Sequence, residues 1–244
     1  MSTYDPRPMT SESEWMRTVS DLPPGIPELG NRVVVVAAHP DDECLALGGV
    51  LQELRRLPGE LRIVVATDGE AAYPGLNATD RAELARTRRR ELHAALRVHG
   101  LPAVPVTWLG LPDSELVSHE ATLADQLRAL LTGATATVAP WPLDPHPDHQ
   151  AAGRATARTR PPESRMWSYP IWMWHWMRPN EEVIPWRRAV LHRLSPAQQA
   201  SKNAALEEFV SQRVPPPGVG GAVLPPEALA HFGRGVEVLF QEHP

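Results

Sequence analysis

The chain has 244 residues, enough for one large α/β domain with a full hydrophobic core. Its net charge of −5 is mild, and its 24 Lys and Arg residues are scattered except at Arg88-Arg89-Arg90, which excludes the basic stripe of a nucleic-acid-binding surface. A single cysteine, Cys44, excludes an internal disulfide and a Cys-rich zinc site, and no apolar run reaches membrane-spanning length.

The first 30 residues are polar and punctuated by proline, with a short helix expected around 12–21. They carry no basic-then-apolar leader, so the expected address is the cytoplasm. Val33-Val34-Val35-Val36-Ala37-Ala38 follows, a β-branched run without polar alternation. Such a run reads as a strand buried on both faces. A helix is expected over 45–57, a strand over 61–67, and a surface helix over 80–98 that Gly100 ends. A third strand is expected over 104–109, an amphipathic helix over 120–131, a fourth strand over 135–139 and a helix over about 148–159.

Strands alternating with helices predict a Rossmann-like, doubly wound α/β fold: a mostly parallel sheet with helices on both faces. In the strand order 3-2-1-4-5 the first and fourth strands become neighbours, and ligands bind beyond their carboxyl ends. Two polar segments follow those strands directly, His39-Pro40-Asp41-Asp42-Glu43 and His146-Pro147-Asp148-His149. The topology therefore brings segments about a hundred residues apart into one crevice.

Zinc accepts imidazole nitrogen and carboxylate oxygen, and a catalytic site uses three protein ligands and one open position. A His-x-x-Asp turn and a histidine from a second loop supply that set, namely His39, Asp42 and His149. Asp41, His146 and Asp148 then stand beside the metal as proton carriers or orienting groups. The plainer reading, that these aspartates only cap helices, fits either segment alone but not both at one switch point.

At these residues the sequence resembles the LmbE/PIG-L-like N-acetylglucosaminyl deacetylases, a family that includes deacetylases of mycothiol, bacillithiol and glycopeptide antibiotic biosynthesis. Further likeness lies in Thr67-Asp68-Gly69-Glu70, Arg88-Arg89-Arg90-Glu91 and Leu109-Gly110-Leu111-Pro112-Asp113-Ser114, the last expected as a loop after the third strand. The resemblance is good from about Val33 to Gly153 and weaker beyond. It implies a Zn2+ cofactor, or another divalent transition metal, on His39, Asp42 and His149, with Asp41 as general base. It also implies His146 as oxyanion stabiliser or general acid, with Asp148 as its carboxylate partner favouring the imidazolium form, and Arg88 and Asp113 as substrate contacts. Asp144 stands where some relatives carry a carbonyl-polarising tyrosine and is expected among the substrate-binding residues. The implied activity is removal of an N-acyl, typically acetyl, group from an amino sugar or its conjugate. The implied partner is a small N-acetylated substrate, without nucleic acid or membrane, in a chain open to homo-oligomer formation.

Beyond the signatures, Asp68 and Glu70 either line the crevice or cap their loop. Five of the eight tryptophans lie between Trp167 and Trp186. They read either as an aromatic platform near the crevice or, favoured by alternation, as an amphipathic strand with Trp172, Trp174 and Trp176 on one core-facing side. His175 reads as a packing residue and Cys44 as a small buried one. Proline, at 27 residues about double the usual share, makes the C-terminal part loop-rich, with a helix expected over 202–212 and a strand over 236–240. With no Gly/Ser-rich or charged linker, a single domain is expected over 1–244, its core at about 31–170 and its C-terminal extension at about 171–244 packed on it. Four other readings are weaker. A carboxylate-rich metallophosphoesterase, or a hydrolase of a non-sugar amide, keeps the metal. A zinc-binding protein without turnover needs neither Asp41 nor His146, and a nucleotide-binding protein needs a Gly-rich first loop.

Overall fold

The computed structural model describes residues 8–57 and 59–242; residues 1–7, Pro58 and residues 243–244 of the 1–244 span lie outside the described residues. Five parallel strands form in the expected order: β1 (Arg32–Ala37), β2 (Glu60–Thr67), β3 (Val106–Leu111), β4 (Ala136–Pro140) and β5 (Arg165–Tyr169). They lie as β3-β2-β1-β4-β5, and two antiparallel strands, β6 (Ala189–Arg193) and β7 (Val236–Gln241), extend the sheet beyond β5 in the order β5-β7-β6.

The unbroken apolar run of β1 has its explanation in two cores. Val33, Val35 and Ala37 enter a cluster with Leu47 and Leu51 of α2 (Asp42–Leu54) and Leu92 and Leu96 of α3 (Ala78–Val98). Val34, Val36 and Ala38 enter a second cluster with Leu123 and Leu127 of α4 (Glu120–Leu130) and Ala151 and Ala155 of α5 (Pro147–Thr159). Alternate side chains thus face opposite layers of helices, as a strand buried on both sides requires. The N-terminal helix α1 (Glu12–Val19) is capped by Ser11 and buries Trp15 against Trp174.

Three expectations need correction. The third strand runs on through Gly110, which takes φ 64° where the register between β2 and β3 shifts, so the loop starts at Pro112 rather than Leu109. The tryptophan-rich stretch is not a strand: Pro170 follows the end of β5, and α6 (Met173–Trp176) turns the chain helically. Trp172 and Trp176, four residues apart, therefore stack on one another, while Trp174 turns away to meet Trp15. The helix expected over 202–212 is two helices, α7 (Pro196–Leu206) and α8 (Val210–Arg213), followed by α9 (Pro226–Phe232). No described helix is long and apolar enough to cross a membrane.

Candidate metal centre and its pocket

The two signature loops leave the carboxyl ends of β1 and β4, adjacent strands paired from Val33 with Ala136 to Val35 with Val138. Gly153 lets α5 sit close beneath the second loop, since a Cβ there would fall 2.5 Å from the Pro140 carbonyl oxygen. Asp41 holds the N-cap position of α2, yet its carboxylate makes no capping hydrogen bond. Asp42 instead accepts from the Ala38 and His39 amides through Oδ2, at 2.9 and 3.0 Å. This leaves Oδ1 free to face His149 Nε2 at 3.3 Å. The same Nε2 is 3.3 Å from His39 Nδ1, and His39 Nδ1 is 3.8 Å from Asp42 Oδ2.

Two nitrogens and one carboxylate thus converge from two loops. Two of the three edges, from His149 Nε2 to His39 Nδ1 and to Asp42 Oδ1, measure 3.3 Å, the edge of a tetrahedron around an ion with ligand distances of about 2.0–2.1 Å. His146 adds a third imidazole within 4.8 Å of those of His39 and His149. His39, Asp113 and Asp148 also cluster, but around the opposite ring nitrogen, Nε2, which lies 3.2 Å from Asp113 Oδ1 and 3.2 Å from Asp148 Oδ2. One imidazole nitrogen must carry the proton when the other ligates, so Nε2–H donates to these carboxylates and Nδ1 offers its lone pair.

Asp148 therefore serves His39, not His146 as expected. Its remaining capacity is taken by the Ser114 and Leu116 amides at 2.8 and 3.1 Å. His146 caps α5, its Nδ1 accepting from the Asp148 amide at 3.2 Å, so the neutral ring carries its proton on Nε2. Burial, helped by the charges of His149 and His39, pushes the His146 pKa down to about 3. The expected imidazolium is replaced by a neutral hydrogen-bond donor.

Asp144 also departs from expectation. It is fully buried and absent from the pocket wall. Its Oδ1 accepts from His149 Nδ1 at 3.0 Å, and its Oδ2 accepts from the Ile171 and Met173 amides at 2.9 and 3.2 Å. It fixes the His149 tautomer rather than touching a substrate.

Of the three consecutive arginines on α3, only Arg88 turns into the site. Its Nη2 donates to Asp41 Oδ2 at 2.9 Å and its Nη1 to the Gly69 carbonyl at 3.1 Å. Arg89 pairs with Asp68 and lies over Trp108, which removes Asp68 from the crevice. Glu70 accepts from the Asp113 amide, and Asp113 Oδ2 accepts from the Ala71 amide. Burial raises the Asp41 pKa although Arg88 opposes it. For His149, burial favours the neutral ring, but the charges of Asp42 and Asp144 outweigh it and lift the pKa to about 9. Burial likewise opposes a charge on His39, but Asp113 and Asp148 raise its pKa well above the usual value. Carboxylates outnumber fixed cations here, so the cluster needs protons or a metal ion to balance it.

The cluster opens into a pocket of about 380 Å³. His39, Asp41, Asp42, Arg88, Asp113 and His146 all line it; His149, Asp144 and Asp148 stand behind. Sequence reading missed Tyr73, Gln212 and the 219–224 segment, which also contribute to the wall. No local motif marks them, since they enter through tertiary packing: Glu91 accepts from the Ser211 amide and hydroxyl at 2.8 and 2.6 Å, anchoring α8 to α3. The aromatic platform, the less favoured reading of the tryptophan stretch, is present in part, because Trp172 and Trp176 line the pocket. His175 is buried beside them and outside the ligand cluster, as expected of a packing residue.

Comparison with known proteins agrees with this architecture. A 1D-myo-inositol 2-acetamido-2-deoxy-alpha-D-glucopyranoside deacetylase from Mycobacterium sp. is 30% identical over 184 residues. That alignment takes in 65% of this chain, and the chain spans 59% of the length of that relative. The N,N'-diacetylchitobiose deacetylase of Pyrococcus horikoshii superposes with a TM-score of 0.59 at 21% identity, over 88% of this chain and 83% of that one. A 4-carboxy-2-hydroxymuconate hydratase from Pseudomonas putida shares the fold as well, with a TM-score of 0.55 at 16% identity over 88% of this chain and 97% of that one. The fold thus houses more than one reaction, and chemistry has to be argued from the site. Residues 34–159, more than half of the chain and both signature loops, match the family described as PIG-L, GlcNAc-PI de-N-acetylase, and the chain belongs to that family.

Proposed function

We propose that this protein is a zinc-dependent hydrolase that removes an N-acetyl group from an amino sugar or an amino-sugar conjugate. The observation that carries the reading is the convergence of His39 Nδ1, Asp42 Oδ1 and His149 Nε2 beside Asp41 and His146 at one end of a pocket. The substrate class rests on the family and on the relatives named for deacetylation of a glucosaminyl-inositol.

A bound zinc ion supplies a Lewis acid for the amide carbonyl and lowers the pKa of a water molecule. The protein's own groups do the rest. Arg88 occupies Asp41 Oδ2, leaving Oδ1 to take the proton of the attacking water. Burial makes Asp41 a stronger base than an exposed aspartate. His146, neutral with Nε2–H, donates to the oxygen on which negative charge develops. Asp41 then returns its proton to the departing nitrogen, giving acetate and a free amine. Asp144 and Asp148 hold the two histidine ligands in the required tautomers.

A phosphoesterase with two metals fits less well. The second carboxylate cluster converges on the ring nitrogen of His39 that carries the proton, so one imidazole would have to serve both ions.

The test is acetate release from N-acetylglucosamine, diacetylchitobiose and the glucosaminyl-inositol conjugate, with chelator and after zinc is restored. Release should stop with chelator and return with zinc. Asp41→Asn should keep zinc and lose at least about 100-fold in kcat. Release that survived complete metal removal, or full activity in Asp41→Asn, would overturn the mechanism.

A further inference from the structure

The pocket wall has two characters. His39, Asp41, Arg88, Asp113 and His146 make one part polar. Another part is apolar, with Ile171, Trp172 and Trp176 from one segment, Pro74 from a second, and Val223 and Leu224 from a third. The two indoles stack nearly parallel, centroids 4.5 Å apart and planes 13° apart, and both border the pocket. Leu224 is tied to α8 by its amide, which donates to the Gln212 carbonyl at 2.9 Å, so the third segment is fixed against the pocket.

Gln212 supplies the second observation. It is fully buried and lines the pocket. Its Nε2 donates to Ser211 Oγ, but its Oε1 has no hydrogen-bond partner among the described residues. A buried carbonyl oxygen left unpaired costs stability, and a donor from a bound molecule removes that cost.

We propose that the pocket selects N-acylated amines that carry a flat or apolar group beside the amide, seated against the Trp172–Trp176 pair, with one substrate O–H or N–H donated to Gln212 Oε1. This rests on the deacylase reading and narrows it. A polyol ring such as inositol carries several hydroxyls, each needing a partner when buried, and the apolar part of the wall offers them indole, proline and aliphatic carbon. An aromatic or alkyl group gains from the same surface. The apolar group can belong to the amine side or to the acyl side of the scissile bond, and the experiment separates the two.

The zinc-loaded protein is assayed for kcat/KM on N-acetylglucosamine, its inositol conjugate, its phenyl glycoside and N-hexanoylglucosamine. The phenyl glycoside or the hexanoyl amide should exceed both the free sugar and the inositol conjugate by about tenfold or more. Preference for the phenyl glycoside assigns the apolar group to the amine side, and preference for the hexanoyl amide to the acyl side. Trp176→Ala should shrink that preference ratio at least about fivefold, chiefly through KM, and Trp176→Phe should keep most of it. An inositol conjugate turned over as well as the apolar substrates would overturn the proposal, as would a Trp176→Ala variant with an unaltered preference ratio. If no member of the panel is hydrolysed, the deacylase reading fails, and quenching of tryptophan fluorescence by the same compounds decides the pocket separately. Tighter binding of the phenyl glycoside or the hexanoyl amide, weakened in Trp176→Ala, upholds the apolar site; equal or tighter binding of the inositol conjugate rejects it.

Discussion

Asp41 and Asp42 are adjacent in sequence yet have opposite surroundings, because α2 begins between them. Asp42 gives one oxygen to two backbone amides and keeps the other for the ligand cluster, while Asp41 is held by a guanidinium. Gly69 is what lets that guanidinium arrive: its φ is 65°, its carbonyl accepts from Arg88, and a Cβ there would overlap Arg88 Nη1. Gly69→Ala should therefore displace Arg88 from Asp41 and lower kcat/KM about 10–100-fold with zinc content unchanged, read by kinetics and metal analysis together. Asp144→Asn should weaken zinc about 10–100-fold in a chelator competition, since its single acceptor oxygen cannot serve both His149 Nδ1 and the Ile171 and Met173 amides. Unchanged affinity would remove Asp144 from that role. The signature residues were legible because their chemistry and spacing are local. The partners of Asp144 and Asp148 were not, because the choice is made by amides far along the chain, Ile171 and Met173 for one, Ser114 and Leu116 for the other.

The elements after residue 170 show where periodicity misleads. Alternating tryptophans read as a strand, but Pro170 and the stacking of Trp172 on Trp176 favour a helical turn. The start of α7 was written locally, in a capping box between Ser195 and Gln198 with Pro196 in the first turn, and went unread because the apolar pattern behind it is weak. What fastens these elements to the core is polar and buried. Lys202 on α7 donates to Glu237 of β7 at 2.8 Å, and Glu237 also accepts from the Gly49 and Val50 amides of α2. Lys202→Met leaves that carboxylate uncompensated and should cost about 3–5 kcal/mol in chemical denaturation, with the double variant Lys202→Met, Glu237→Leu costing less. Beside this pair, burial and then the Lys202 charge push the His99 pKa down to about 4. His99 is neutral when folded, so its contribution is complete above the unfolded pKa of about 6.5 and is lost as pH falls from there towards 4. Between pH 7 and pH 5 the wild type should lose about 2 kcal/mol through this group, and His99→Phe should lose that much less over the same interval.

At the scale of the whole molecule, the parallel half of the sheet was readable because each strand–helix pair obeys one handedness rule, which placed both signature loops at one crevice. The antiparallel pair was less so: β7 shows as an apolar run, but β6 carries His192 and Arg193 in five residues and gains its meaning only from pairing with β7. This sheet delivers five carboxylates, Asp41, Asp42, Asp113, Asp144 and Asp148, to one buried place on a chain that is already net negative. Folding must therefore pay for like charge at the site unless something positive is taken up with it. An ion that binds the folded chain and not the unfolded one stabilises it by about 2.7 kcal/mol at a hundredfold excess over its Kd. For a domain of this size that is a Tm rise of roughly 5–10 °C. Calorimetry should show that rise on adding zinc to chelator-treated protein, and no rise in His149→Ala, which lacks one of the three converging atoms. A Tm indifferent to zinc in the wild type would mean that protons on His39 and His149 balance the carboxylates by themselves and that the cluster holds no ion.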